Sequence, residues 1–213
     1  MSSTTSSLQR AWWLKTLHQW HWISASVALI GLLLFSITGF TLNHAARIEA
    51  SPQVQTQEAQ LPPALAAALA TMADTAADSS QHPALPDTAA RWLAEEFGVD
   101  VREREIEWSP DEIYIGLPRP GGDAWLRITL PAGEVMQETT TRGRVSYLND
   151  LHKGRNAGMA WSLFIDVFAA ACLLFALTGL LILKLHAVNR PATWPLVTAG
   201  IVVPLLLALL TIH

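Results

Sequence analysis

Residues 23–42, ISASVALIGLLLFSITGFTL, run for twenty positions without a charged side chain. At about 1.5 Å per helical residue that run covers roughly 30 Å, the thickness of a bilayer's hydrocarbon layer. It predicts a membrane helix. Two further runs share the property. Met159 to Leu183 contains only Asp166 as a charge, and Trp194 to Ile212 is shorter and holds Pro195 and Pro204. Proline within a membrane helix marks a kink or close packing against a neighbour.

Outside these runs the composition changes. The chain is 51% apolar and only 15% charged, against about a quarter charged in a soluble domain. Seventeen of the 18 acidic and ten of the 14 basic side chains fall between Ala45 and Gly158. A polar middle between apolar ends is the layout of a membrane protein with one water-exposed domain. The net charge of -4 gives no reason to expect nucleic-acid binding, and the lone Cys172 excludes a disulfide framework or a Cys-rich metal site.

Tryptophans mark the edges of the runs: Trp12, Trp13, Trp20 and Trp22 before the first, Trp161 at the second, Trp194 at the third. Aromatic belts sit at the membrane–water boundary. Arg10 and Lys15 precede the first span, and Lys184 and Arg190 lie in the short link between the second and third. Positive charge in short loops marks the cytoplasmic side. The expected topology is a cytoplasmic N-terminus (1–22), a first span (23–44), an extracytoplasmic segment (45–158), a second span (159–185), a cytoplasmic loop (186–193) and a third span (194–213), ending with His213 outside. TLNHAAR (41–47) offers no A-x-A site, so the first span reads as a retained anchor rather than a cleaved signal peptide.

Within the polar middle, LPPALAAALATMA (61–73) has helical character, with Leu61, Leu65 and Leu69 at four-residue spacing. DTAADSSQHPALP (74–86) reads as a linker, which makes His82 a solvated loop residue. Asp87 is a plausible N-cap for the helix TAARWLAEEFGV, Gly98 its stop, and Ala90, Leu93, Ala94 and Phe97 its apolar stripe. REIEW, EIYIGL and AWLRITL then alternate polar and apolar residues, separated by PRPGGD and followed by the turn PAGE and VMQETTT. One helix and a short antiparallel meander make a small α+β unit. No G-x-G-x-x-G, Walker, nucleophile-elbow or H-E-x-x-H motif occurs.

Five of the seven histidines lie at span ends. His18 and His21 open the first span and His44 closes it; His152 shortly precedes the second and His186 follows it. On the expected topology His18, His21 and His186 share the cytoplasmic side, and His44 and His152 the other. Two imidazoles from different helices can hold one haem iron from opposite faces, for electron transfer without an open coordination position. Gly31, Gly39 and Gly179 remove side chains where a flat ring or a second helix must come close. Two such sets would form a two-haem relay. An interfacial histidine is equally tolerated without function, and small residues also serve helix packing, so position alone leaves both readings open. Without C-x-x-C-H any haem is noncovalent.

FSITGF (35–40) and FALTGL (175–180) are similar, and each precedes a histidine, His44 and His186. They read as an inverted pseudo-two-fold pair with one site per leaflet. Asp166 falls about two turns inside the second span, where charge is costly and function is the default. Thr38, Thr41, Asn43 or a ligand imidazole would be its partner; a purely structural acid is the other reading.

LHQWHWISASVALIGLLLFSITGFTLNH (17–44), YLNDLHKGRNAG (147–158) and FALTGLLIL (175–183) resemble the PepSY-associated transmembrane helix family, with its L-H-x-W helix start, T-G near a helix end and L-H-x-G before a span. The middle, about residues 60–140, resembles a PepSY domain. The resemblance implies an integral membrane α-helical protein of about three spans, with a small α+β PepSY-like extracytoplasmic domain inserted. Larger family members are bacterial inner-membrane haem proteins, several associated with reducing ferric siderophores in the periplasm. That implies one or two noncovalent haem b groups. His18 matches the L-H-x-W histidine and His152 the L-H-x-G histidine, with His186 and His44 as their partners by side. His21 is an alternative to His18, because residues three apart share a helix face. The chain is shorter than the reductases and has no recognisable flavin or nicotinamide module, so catalysis by this chain alone stays open.

The expected function is electron transfer across the inner membrane toward periplasmic ferric iron or a ferric siderophore. The alternative is a non-enzymatic, membrane-anchored PepSY module that binds a peptide, protease or envelope partner. Expected partners are the bilayer and a periplasmic siderophore or redox protein, with a homodimer allowed. Reporter fusions test the orientation: a fusion near residue 100 should be active only outside the cytoplasm, and cytoplasmic activity would reverse the assignment of the two histidine sets.

Overall fold

The computed structural model describes residues 2–48, 51–77 and 83–212. The chain runs α1 (Ser2–Asn43), β1 (Gln53–Gln60), α2 (Pro63–Ala77), α3 (Asp87–Phe97), β2 (Ile106–Trp108), β3 (Glu112–Gly116), β4 (Gly122–Thr129), β5 (Glu134–Thr141), α4 (Arg144–Lys153), α5 (Met159–His186) and α6 (Thr193–Thr211). It forms two compact units, Met1–Ser36 with Leu163–His213, and Ile37–Ser162. His82 and His213, read above as a solvated loop residue and an outer terminus, lie outside the described residues.

Three helices are long and apolar enough to cross a membrane: Gln9–Asn43 within α1, α5 and α6. The first is longer than its apolar run suggested. RAWWLKTLHQWHW, residues 10–22, contains no proline or glycine to stop a helix, so α1 runs unbroken through it. The expected boundary at residue 23 is therefore a change of surface within one helix. In the helical unit, Ser24 and Ala28 are buried on α1, and a Cβ on Gly31 would overlap the Phe168 ring of α5. Phe35 stacks on Phe168 with ring centres 4.9 Å apart. Ser24, Ala28, Gly31 and Phe35 recur at four- and three-residue steps and so form one face of small residues ending in an aromatic. In α6 almost every side chain is exposed, as suits a helix whose solvent is lipid.

The other unit is a five-stranded antiparallel sheet in the order β1-β5-β4-β3-β2. Alternation along β4 buries Ala124, Leu126 and Ile128 and turns Asp123, Trp125 and Arg127 outward. Ile113, Ile115, Ile106, Trp108 and Val135 join the buried face, and Ala66, Leu69, Ala73, Ala89, Ala90 and Leu93 of α2 and α3 complete the core. On the opposite face Arg127 of β4 meets Glu112 of β3 at 3.2 Å, a cross-strand contact that helps fix register, and lies over the ring of Trp125 on its own strand.

The expected meander is β2 to β5, and β1 adds a strand to its edge. QVQTQEAQ has no apolar face, and seven of its eight residues are exposed. Its pairing with β5, Val54 opposite Thr140 and Gln57 opposite Gln137, rests on backbone hydrogen bonds, so it leaves no apolar alternation to read. Four local readings change. Leu61 precedes α2, its N–H bonded to Gly133 O at 2.9 Å, and the buried stripe of α2 is Ala66, Leu69, Ala73 and Ala76. Pro86 rather than Asp87 is the N-cap of α3, which places the Asp87 carboxylate in the first turn, where the helix dipole favours it. Ala94 is exposed; Ala89 takes its place in the stripe. Residues 74–77 belong to α2 rather than to a linker. Gly98 ends α3 as expected, at φ 68°.

Leu126 is fully buried at the centre of this sheet. Leu126→Ala should destabilise the sheet unit by about 2–5 kcal/mol. Urea titration of the intact protein in detergent, followed by tryptophan fluorescence, should show an earlier transition with the membrane helices still inserted.

Candidate histidine sites

An unbroken α1 carries His18 and His21 on one face, and α5 ends on His186. The rings of His18 and His186 approach to 6.3 Å between centres, nearly perpendicular at 85°. Each ring is fixed by its own helix. His18 Nδ1 lies 2.8 Å from Leu14 O and His186 Nδ1 2.9 Å from Ile182 O. A carbonyl oxygen can only accept, so in both rings Nδ1 carries the hydrogen and donates. In the neutral form Nε2 then keeps the lone pair, the state a metal ligand needs.

His21 is held across the helix pair. Thr178 Oγ1 donates to Leu174 O at 2.7 Å or Phe175 O at 3.0 Å. With its only hydrogen spent, the hydroxyl accepts from His21 Nδ1 at 3.0 Å. The His21 ring stacks on Phe175, 4.7 Å between centres and 16° from parallel. A Cβ on Gly179 would stand 3.2 Å from His21 Cε1, so the bare glycine supplies the space for the imidazole. A cavity of about 640 Å³ is lined by His18, His21, Gly179, Ile182, His186 and Arg190. The structure thus gathers the three histidines expected on the cytoplasmic side. Arg190, read from sequence only as an orientation signal, lines the same space.

His152 repeats the His21 arrangement in the other unit. Its Nδ1 lies 2.7 Å from Thr38 Oγ1, and a Cβ on Gly39 would stand 3.5 Å from His152 Cε1. The Thr–Gly steps of FSITGF and FALTGL are therefore equivalent seats, each taking an imidazole from a different helix. The sequence had attached them to His44 and His186, the histidines that follow them. His44 instead donates from Nδ1 to Phe40 O at 3.0 Å, its ring 4.5 Å from that of Phe40. His152 and His44 have separate anchors.

The helix bearing His152 is tied down at several points. Thr41 Oγ1 is 2.9 Å from both Thr38 O and Asn149 Oδ1. Trp161 Nε1 donates to Leu151 O at 2.8 Å. Gly121, in the β3–β4 loop, donates its N–H to Asp150 Oδ2 at 2.8 Å and accepts from Arg142 N at 2.8 Å. A Cβ on Gly121 would crowd Tyr147 Cα at 2.7 Å, and its φ of 73° favours glycine.

Asp166 does not take the place expected for it. It is exposed on α5 and has no hydrogen bond or ion pair among the described residues. Thr38 and Thr41, two of its expected partners, are engaged with His152 and Asn149.

Residues 12–213 match the family model described as PepSY_TM-like. The chain belongs to that family. No curated protein and no solved structure matches it. This PepSY_TM-like protein is a multi-span membrane protein with an α+β domain inserted between its first and second spans, and the matched region includes all five site histidines.

The hydroxyl seats carry a direct test. Thr178→Val keeps the side-chain shape but leaves His21 Nδ1–H without its acceptor, at about 1–3 kcal/mol for an unmet polar group. Nitrogen NMR of labelled histidine should show the His21 ring signals move, with those of His152 unchanged; Thr178→Ser should restore them. Thr38→Val should act on His152 in the same selective way.

Proposed function

We propose that this PepSY_TM-like protein binds haem b noncovalently and passes electrons across the bacterial inner membrane toward ferric iron or a ferric siderophore. The observation that carries this reading is the three-histidine cavity. It has a size typical of cofactor pockets, and the ring centres of two imidazoles from different helices stand 6.3 Å apart, within reach of a single metal at about 2 Å per metal–imidazole bond. Among the described residues no three His, Cys, Asp or Glu side chains converge to cage a bare metal ion. Imidazoles lining a slot suit a macrocycle that brings four nitrogens of its own and needs two axial ones.

The residues fit that group in distinct ways. His18 and His186 would hold the group, with His21 as the alternative to His18. Leu14 O and Ile182 O hold the two rings in the tautomer that leaves Nε2 free. Gly179 leaves flat space, Ile182 and Leu183 limit water, and the Arg190 guanidinium is available to the porphyrin carboxylates. When bound, haem supplies one-electron chemistry between ferric and ferrous iron, with a potential set by the axial ligands and the polarity around them. In the same reading His44 and His152 serve a second haem, with Thr38 orienting His152. The electron donor is cytoplasmic or a quinol, and the ferric acceptor follows from the family resemblance.

A second reading has its own support in the sheet unit. β1 is an exposed edge strand, and a groove of about 560 Å³ between α2 and α3 is lined by Leu65, Ala68, Trp92 and neighbours. An edge and an apolar groove are what a peptide-binding module offers.

Optical spectra of the intact protein, purified with ample haem, separate these readings. Oxidised and reduced spectra should show a low-spin b-type haem. His186→Ala should remove one haem or convert it to high spin and leave any second one in place. His18→Ala should do the same, or be mild where His21→Ala is severe. A wild-type protein with no Soret band and no extractable porphyrin would sink the haem reading and leave the binding module.

A further inference from the structure

A second cavity, of about 380 Å³, lies just beyond the end of α1 and contains no histidine; its lining includes Ile48, Ser51, Arg142, Arg144, Ser146 and Asn149. Three features give it one chemical character. First, α4 begins on Gly143 with no side-chain cap, and its first chain-bonded amide is Tyr147 N to Gly143 O at 3.1 Å. The N–H groups of Arg144, Val145 and Ser146 are left without acceptors among the described residues, at the positive end of the helix dipole. Second, Arg142 and Arg144 are exposed and form no ion pair among the described residues. Asp150, the acid of α4, accepts from Gly121 instead. Third, Asn149 is only 7% exposed, yet its one hydrogen bond among the described residues is the one its Oδ1 accepts from Thr41. Its amide N–H groups have no partner there.

We propose that this cavity binds a phosphate group. Arg142, Arg144, Ser146, Asn149 and the uncapped first turn of α4 line it, and together they carry more donors than the two oxygens of a carboxylate can accept. Phosphate has the oxygens and the charge for such a set. The cavity also exceeds the volume of a bare phosphate, and Ala45 and Ile48 give it an apolar wall suited to an ester substituent. Ala45, which lines the cavity, stands two residues beyond Asn43, the last residue of the first span, which sets the site at the level of lipid headgroups. The group comes from an anionic phospholipid or from free phosphate. The inference does not depend on haem.

Native mass spectrometry of the intact protein decides it, with phosphatidylglycerol, phosphatidylcholine or inorganic phosphate added. One saturably bound phosphatidylglycerol, favoured over phosphatidylcholine, assigns the lipid source. Binding of inorganic phosphate without lipid retention assigns the free anion. In either case Arg142→Gln/Arg144→Gln should weaken binding about tenfold or more with an unchanged far-UV spectrum. Ser146→Asp, which favours the helix start but puts a carboxylate in the cavity, should abolish binding. Arg102→Gln, on the sheet unit, should bind as wild type. Absence of saturable binding in every arm, or unaltered affinity in both cavity variants, overturns the proposal, and haem content is read separately from the Soret band.

Discussion

The hydrogen bond between His21 Nδ1 and Thr178 Oγ1 joins α1 to α5 in an environment that offers few other polar partners. In hydrocarbon an unmet N–H or hydroxyl has no water to turn to. A threonine on a membrane helix meets this constraint by returning its hydrogen to a carbonyl of its own helix, as Thr178 does. Its lone pairs then face outward, where they can take a hydrogen from a neighbouring ring. The glycine that follows leaves the surface low enough for that ring to settle. This pairing of a hydroxyl with a missing side chain sets the position and the tautomer of His21. The Thr38–Gly39 step provides the same geometry for His152.

How far the sequence could be read depends on which force holds each element. The spans were legible because charge is excluded from lipid, and a run without charge is visible in any listing of residues. Alternation made β3 and β4 legible, since one face of each meets the core. β1 was not legible, because an edge strand paired by backbone alone needs no apolar side chain. The start of α1 was hidden for the converse reason: residues 10–22 change the helix's surface without changing its propensity. At the candidate sites the T-G repeat was visible, but its partners were not. Each seat takes a histidine from a distant segment, and sequence proximity pointed to His44 and His186 instead.

Asp166 illustrates a different limit. Its position in a span marked it as unusual, and the cost of charge in lipid suggested a partner within the chain. It is exposed instead, on a face of α5 that also carries Ser162, Ala169 and Ala170. Hydropathy gives the depth of a residue in a helix but not its azimuth. The direction in which a side chain points follows from packing, here from Phe168 and Thr178 facing α1.

Gly121 gives the sheet unit a mechanical role. Its N–H and C=O grip α4 and the end of β5 at once, and its missing side chain lets the loop lie directly against Tyr147. The β3–β4 hairpin is thereby bolted to the short helix that carries His152, about half a turn beyond Asp150. The hairpin and the imidazole resting on Thr38 are linked through the same short helix. A domain built in water thus has a rigid handle on a ring held at the end of a membrane helix.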